Sequence, residues 1–351
     1  MNLGLPLMPS LSVSQSNFLN ALACKNKDHR PPVWLMRQAG RYLPEYQVIR
    51  QKYSLEEMFR TPELIYKITK QPIDILGVDA AILFADILHI PLTLGFDVTF
   101  PGKGGPLVTP AIETPADFLH VHPRPVKETL DFVAQGIKMI KEDTDVPLIG
   151  FCGGPFTVMT YLMGKKIKRW LYSHPKEVLD LLQIITTQSI TYLQMQIKAG
   201  VDAIQIFDSW ANLLSREEFC HFALPFLKQI IDAIDLPVII FSRASSLFVA
   251  ELVSIRPNGI SFDWSLPPDE LRKRIPETIA VQGNLDPEIL YAPPQIIQKE
   301  TQKMLERMQG DPGYIVNLGH GVLPDIPVDH VRAFVDTVKS FSPCSNRGHG
   351  A

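Results

Sequence analysis

Three arginines, Arg37, Arg41 and Arg50, fall in one short stretch, MRQAGRYLPEYQVIR, directly after the apolar run at 33–36. A guanidinium keeps its charge in a partly dry site and grips a carboxylate or phosphate through two parallel N–H donors. Three of them at one strand end suit a polyanion. Gly40 permits a tight turn between the first two, and Pro44 is placed to open a helix carrying Arg50. Asp86 ends the run AAILFAD and is followed by Ile-Leu-His-Ile-Pro. A carboxylate among such neighbours is costly unless a cation or an N–H donor faces it. In a site it would hold a ligand's donors or stabilise positive charge that develops during a reaction. Small residues at 150–157, GFCGGPFT, allow close approach of a large ligand, and Thr160 and Tyr161 follow on the next helix. Asp208 and Ser209 end one further run; Asn317 and His320, the latter between Gly319 and Gly321, end another.

The elements that must position these residues repeat along the chain. A short continuous apolar run, a loop and a longer amphipathic stretch recur, the pattern of buried parallel strands joined by crossover helices. Eight runs are expected as strands, at 33–36, 80–85, 146–151, 203–207, 238–241, 259–262, 279–283 and 314–318. Helices are expected between them, among them 178–198, 219–234, 247–255 and 294–308. The fold class read from this is α/β, a single (β/α)8 barrel. Each run ends in a distinctive residue or turn: Arg37, Asp86, Cys-Gly-Gly at 152–154, Asp208-Ser209, Arg243, Asp263, Asn284 and His320. In a barrel these ends converge on one mouth, where active sites of that fold sit. A doubly wound open sheet is the alternative, but no glycine-rich dinucleotide fingerprint follows the first run and no GxxxxGK[ST] occurs. The connection 87–114, rich in Pro and Gly, is too long for an ordinary loop and is expected as a hairpin or flap over the mouth. The organisation expected is a flexible arm over 1–16, the barrel over 17–341 and a frayed tail over 342–351.

Composition removes other classes. The 351 residues are 46% hydrophobic, enough for a sizeable core despite 30 prolines. Thirty-four Lys and Arg against 37 Asp and Glu give a net charge of −3, without the basic footprint of a nucleic-acid binder. The apolar region 73–96 carries Asp74, Asp79, Asp86, His89 and Pro91, a load a membrane span would not tolerate. Cys24, Cys152, Cys220 and Cys344 are scattered, so neither a disulfide framework nor a compact thiolate zinc site is indicated and a reducing, cytosolic compartment fits. No GxSxG, HExxH or EF-hand pattern is present. The residues alone describe a metal-free barrel enzyme for a large, multiply anionic, partly apolar small molecule.

The segment 31–45, PPVWLMRQAGRYLPE, closely resembles the signature of the uroporphyrinogen decarboxylase family. The likeness continues through FADIL at 84–88, GFCGGPFTVMTY at 150–161, QGNLDP at 282–287 and NLGHGVLPD at 317–325, covering roughly residues 17 to 340 in order. It implies a single barrel, independence of cofactors and metals, a homodimer, a cytoplasmic location and removal of four acetate carboxyls from uroporphyrinogen III to give coproporphyrinogen III. By that resemblance Arg37, Arg41 and Arg50 are the substrate-carboxylate arginines, with Arg37 also a candidate proton donor. Asp86 matches the aspartate that holds the pyrrole N–H groups; Tyr161, Ser209 and His320 match further contacts, and Gln38 and Phe207 fall beside them. Asp86, Arg37 and Tyr161 are the expected catalytic residues. The chain departs from the family at Gly164, where an acidic residue is common, at Arg243-Ala244, where Lys-Gly is more usual, and at Asp208, where Glu is frequent.

Two rivals use the same kind of chain. A corrinoid- or coenzyme M-linked methyltransferase would need a His-x-Cys zinc site after a middle strand, where this sequence has Phe-Ser-Arg at 241–243. A non-catalytic porphyrinogen carrier would have little need of Arg37, Asp86 and Tyr161 together.

Overall fold

The computed structural model describes residues 16–27, 29–102 and 105–342, the side chain of Lys165 apart. The expected arm and tail, save Ser16 and Ser342, lie outside the described residues, as does Cys344.

Seven of the eight apolar runs form one parallel sheet. Its strands are β1 (Ala81–Ile82), β4 (Leu148–Gly153), β5 (Ala203–Asp208), β6 (Val238–Ser242), β7 (Gly259–Ser261), β8 (Ala280–Gln282) and β9 (Tyr314–Ile315), neighbours in that order. Ile149, Ile204, Ile206, Ile239 and Ile240 are wholly buried, as strands covered on both faces require. The sheet is strongly curled. Gln282 on β8 donates to Gln205 on β5 at 3.3 Å although two strands separate them, and Trp34 Nε1 donates to Gln282 at 2.9 Å.

The eighth run contributes a single bridge, Val33 to Val316. Its backbone groups are served on one side by Val316, whose N–H donates to Pro32 O at 2.8 Å, and on the other by Asp79, whose N–H donates to Val33 O at 2.8 Å. Prolines at 31 and 32 remove ladder donors, and side chains supply the rest: Asp79 Oδ2 accepts from Val33 N at 2.7 Å and Asn317 Oδ1 from Met36 N at 3.1 Å. Residues 32–34 thus join the two ends of the sheet.

Helices lie between the strands. Pro175–Ala199, expected over 178–198, and Pro294–Arg307 follow the expectation closely. The helix expected at 219–234 is divided into Arg216–Phe222 and Leu224–Asp232, because Pro225 cannot donate to a continuing helix. The long connection after β1 contains a short helix, His89–Thr93, and an antiparallel pair, β2 (Asp97–Thr99) with β3 (Leu107–Thr109).

Candidate active site

At the carboxyl ends of the strands lies a cavity of about 480 Å³, lined among others by Arg37, Gln38, Arg41, Asp86, Tyr161, Phe207, Ser209 and His320. Eight of the nine residues that the family resemblance assigns to the site therefore meet in one hollow. Arg50 does not line it. It ends the helix Pro44–Arg50, is exposed, and donates to Tyr53 O at 2.8 Å. It still stands close enough to Tyr46, a lining residue, for its charge and that of Arg41 to oppose the rise that burial imposes on the phenol.

Asp86 forms the floor. The β1 ladder ends with Leu83 N donating to Ile149 O at 3.0 Å, and Phe84 N turns to Thr69 Oγ1 at 2.9 Å, so the chain leaves the sheet before Asp86. Leu88 N donates to Asp86 Oδ1 at 2.7 Å, the one hydrogen bond to this carboxylate among the described residues. Burial pushes the pKa of Asp86 up to about 6, against the pull of the Leu88 N–H and the Arg37 charge.

The arginine wall is built on strain. Arg37 sits at φ +59°, a left-handed conformation that a residue with a β-carbon adopts at a cost. Gln38, wholly buried, fixes it from behind: Leu35 N donates to Gln38 Oε1 at 3.2 Å, and Tyr42 Oη donates to Gln38 O at 2.5 Å. Gln38 thus lines the hollow but spends its groups on the backbone. Arg37 and Arg41 are both exposed to the opening.

The opposite wall rests on a buried carboxylate. Asp208 Oδ1 accepts from Thr157 N at 3.2 Å and Thr157 Oγ1 at 2.6 Å, while Trp210 N donates to the same Oγ1 at 3.0 Å. This ties the helix Pro155–Met163, which carries Tyr161, to the turn carrying Ser209. Gly154 is needed there, since a β-carbon would lie 2.7 Å from Asp208. Burial raises Asp208 to about 6. His320 accepts from Gly321 N at 2.8 Å on Nδ1, which leaves Nε2 as the proton-bearing nitrogen of the neutral ring. Burial, with the charges of Arg37 and Arg243, lowers its pKa to about 4, Asp263 opposing.

The sequence reading named Phe207 but missed the aromatic belt to which it belongs. Phe151, Phe207 and Phe241 stand on adjacent strands with ring centroids 5.4 and 6.1 Å apart, and Phe241 meets His320 at 5.8 Å. The signal was a Phe near the carboxyl end of each of three successive runs. Asp263 and Asn284, by contrast, do not face the hollow. Asp263 accepts from Ala244 N at 2.7 Å and Ser265 N at 3.0 Å, and Asn284 donates to Asp263 O and Leu266 O, both at 2.7 Å.

Among the described residues no three His, Cys, Asp or Glu side chains gather as a metal site, and no helix is long and apolar enough to cross a membrane. Arginines at the rim, aromatics around the wall and one carboxylate whose pKa burial raises define a parallel α/β enzyme for a polyanionic small molecule with an apolar body. The chain belongs to the uroporphyrinogen decarboxylase family, carboxy-lyases whose family model matches residues 13–341. It is 47% identical over 330 residues to the uroporphyrinogen decarboxylase of Protochlamydia amoebophila, covering 92% of this chain and 90% of that one. The enzyme of the same name from Flavobacterium johnsoniae is 42% identical over 335 residues, 92% of this chain and 98% of that one. A methyltransferase from Methanosarcina mazei superposes with a TM-score of 0.81 at 22% identity, over 93% of this chain and 98% of that one, a shared fold.

Proposed function

We propose that the protein removes the four acetate carboxyls of uroporphyrinogen III as CO2, giving coproporphyrinogen III without a cofactor, and that Asp86 carries the proton the reaction needs. The observation that bears most weight is a carboxylate held near pKa 6 at the floor of a cavity rimmed by arginines. Family membership supplies the substrate class.

The chemistry follows from the residues. Loss of CO2 from a pyrrole acetate leaves an unstable carbanion unless the ring first takes a proton and becomes an electron sink. Protonated Asp86 gives that proton to the ring carbon beside the pyrrole nitrogen, next to the carbon bearing the acetate arm, so that the arm stays conjugated with the cation. The ring becomes cationic and Asp86 an anion beside it, a charge pair strengthened by the partly dry site. The C–C bond electrons then neutralise the ring as CO2 departs; Asp86, having regained a proton, passes it to the exocyclic methylene to make the methyl group, and then takes the ring proton back. Each carboxylate lost consumes one proton. Arg37 is the weaker choice of acid, because a guanidinium does not release its proton in a protein. It and Arg41 would instead anchor carboxylates that are not reacting, with Arg50 turning inward at the rim. Tyr161, Ser209 and the Nε2–H of His320 donate to the remaining polar groups, and Phe207 packs on a pyrrole face. Such positioning supplies several kcal/mol of the barrier reduction.

The same reading takes the sheet as a closed (β/α)8 barrel, supported by the way residues 32–34 bridge its two ends. It takes the hairpin as a flap, since Phe100 and Pro106 from it line the cavity. A homodimer and a cytoplasmic location rest on family membership. The test is anaerobic incubation of metal-stripped protein with fresh uroporphyrinogen: stepwise less-carboxylated products are expected. Their absence contradicts the reading, and methyl transfer restored by zinc would replace it.

A further inference from the structure

Asp86 lines two hollows. The second, of about 20 Å³, shares Phe59, Asp86, Leu88 and Phe100 with the larger one and adds Glu56, Arg60, His89, Leu92 and Val98, none of which lines the larger. That volume suits one water molecule, and four polar side chains around it are enough to hold one. Glu56 is fixed there: its Oε1 accepts from Phe100 N at 2.8 Å, and no other hydrogen bond to its carboxylate occurs among the described residues. Glu56 is half-buried and Arg60 exposed, so the outer side of the small hollow meets solvent. His89 is buried beside Tyr192, with Nδ1 3.1 Å from Oη, and burial with the Arg60 charge lowers it to about 3. It therefore stays neutral and does not compete as an acid.

A macrocycle seated in the larger cavity covers the mouth side of Asp86. Yet each CO2 lost consumes one proton, and a single substrate needs several in succession. Supply from the mouth would require the substrate to lift away each time.

We propose that the small hollow holds one water through which Asp86 is re-protonated from solvent, with Glu56 as the residue that positions this water and hands it a proton. The inference rests on the decarboxylase reading above. The step balances: protonated Glu56 passes its proton to the water as a water proton moves to the Asp86 carboxylate, and Glu56 then recovers a proton from solvent. No oxidant, reductant or metal enters.

Glu56→Gln keeps an acceptor for Phe100 N–H and removes the exchangeable carboxyl proton. Leu92→Phe fills the hollow from a side that does not line the larger cavity. For both variants kcat is expected to fall about tenfold or more. KM should stay within about twofold, and the solvent deuterium isotope effect on kcat should rise as proton resupply becomes limiting. Glu56→Asp should recover part of the loss. Parental kcat in both variants, or a lower kcat with the parental isotope effect, overturns the relay. If the parent protein itself yields no decarboxylated product, the functional reading fails and the relay with it.

Discussion

The side chain of Arg37 lies across Gly321 so closely that a β-carbon at Gly321 would stand 2.4 Å from Arg37 Cδ and 2.6 Å from its Cγ. The contact joins the first apolar run to the last, and the glycine beside His320 exists to let the arginine pass.

Gly321→Ala should therefore act as an arginine variant. The methyl group displaces the Arg37 stem, and a shift of about 1 Å at a positioned group costs on the order of 100-fold in rate. Arg37 is exposed to the cavity, so the melting temperature should change little. Kinetics with uroporphyrinogen beside a thermal melt check this; a folded variant at parental kcat/KM would show that the Arg37 path is not set by Gly321. Arg41→Lys should weaken binding despite its retained charge, because a lysine cannot grip a carboxylate bidentately.

The pH profile carries the proton assignment. With Asp86 near pKa 6 in the free protein, kcat/KM should fall about tenfold for each pH unit above about 6. His320, lowered to about 4, is neutral throughout that range and contributes no limb. A profile flat from pH 6 to about 9 would remove Asp86 as the proton carrier.

Asp208 should leave a signature in stability. Its folded pKa, about 6, lies above the ordinary 3.8, so the folded state binds this proton more tightly than the unfolded chain does. The penalty for the buried charge is complete above about 6 and disappears as pH falls toward 3.8. Relative to the parent, Asp208→Asn should gain stability as pH rises through that window, by up to about 3 kcal/mol. Denaturant melts across the window read it, and a pH-independent difference would contradict the assignment.

Ala244 holds φ +59° at a turn pinned by Asp263. Ala244→Gly should stabilise by about 1 kcal/mol through release of left-handed strain, and a loss of stability would speak against it.

The sequence made the sheet legible because strands buried on both faces read as unbroken apolar runs, and their ends named most of the cavity. It did not show how hydrogen bonds turn at those ends. The first run looks like a strand yet forms one bridge, since Asp79 and Asn317 take over its ladder. Asp263 and Asn284 end strands as Asp86 does, but spend their polar atoms on loops, a matter of side-chain direction that spacing does not encode. Arg50 reads as lining the same hollow as Arg37 and Arg41, but the helix Pro44–Arg50 sets it at the outer edge, where it donates to Tyr53 O. The aromatic belt went unread because a Phe in an apolar run is indistinguishable from core until neighbouring strands are in register.

The central claim is that Asp86 acts on the reacting ring. Asp86→Asn keeps an acceptor for Leu88 N–H and removes the transferable proton and the charge. Turnover, measured anaerobically with uroporphyrinogen, should fall by roughly 100-fold to 1,000-fold, while affinity for the unreacted substrate changes by no more than about threefold. Equal loss of turnover and affinity would make Asp86 a binding residue only and would contradict the account.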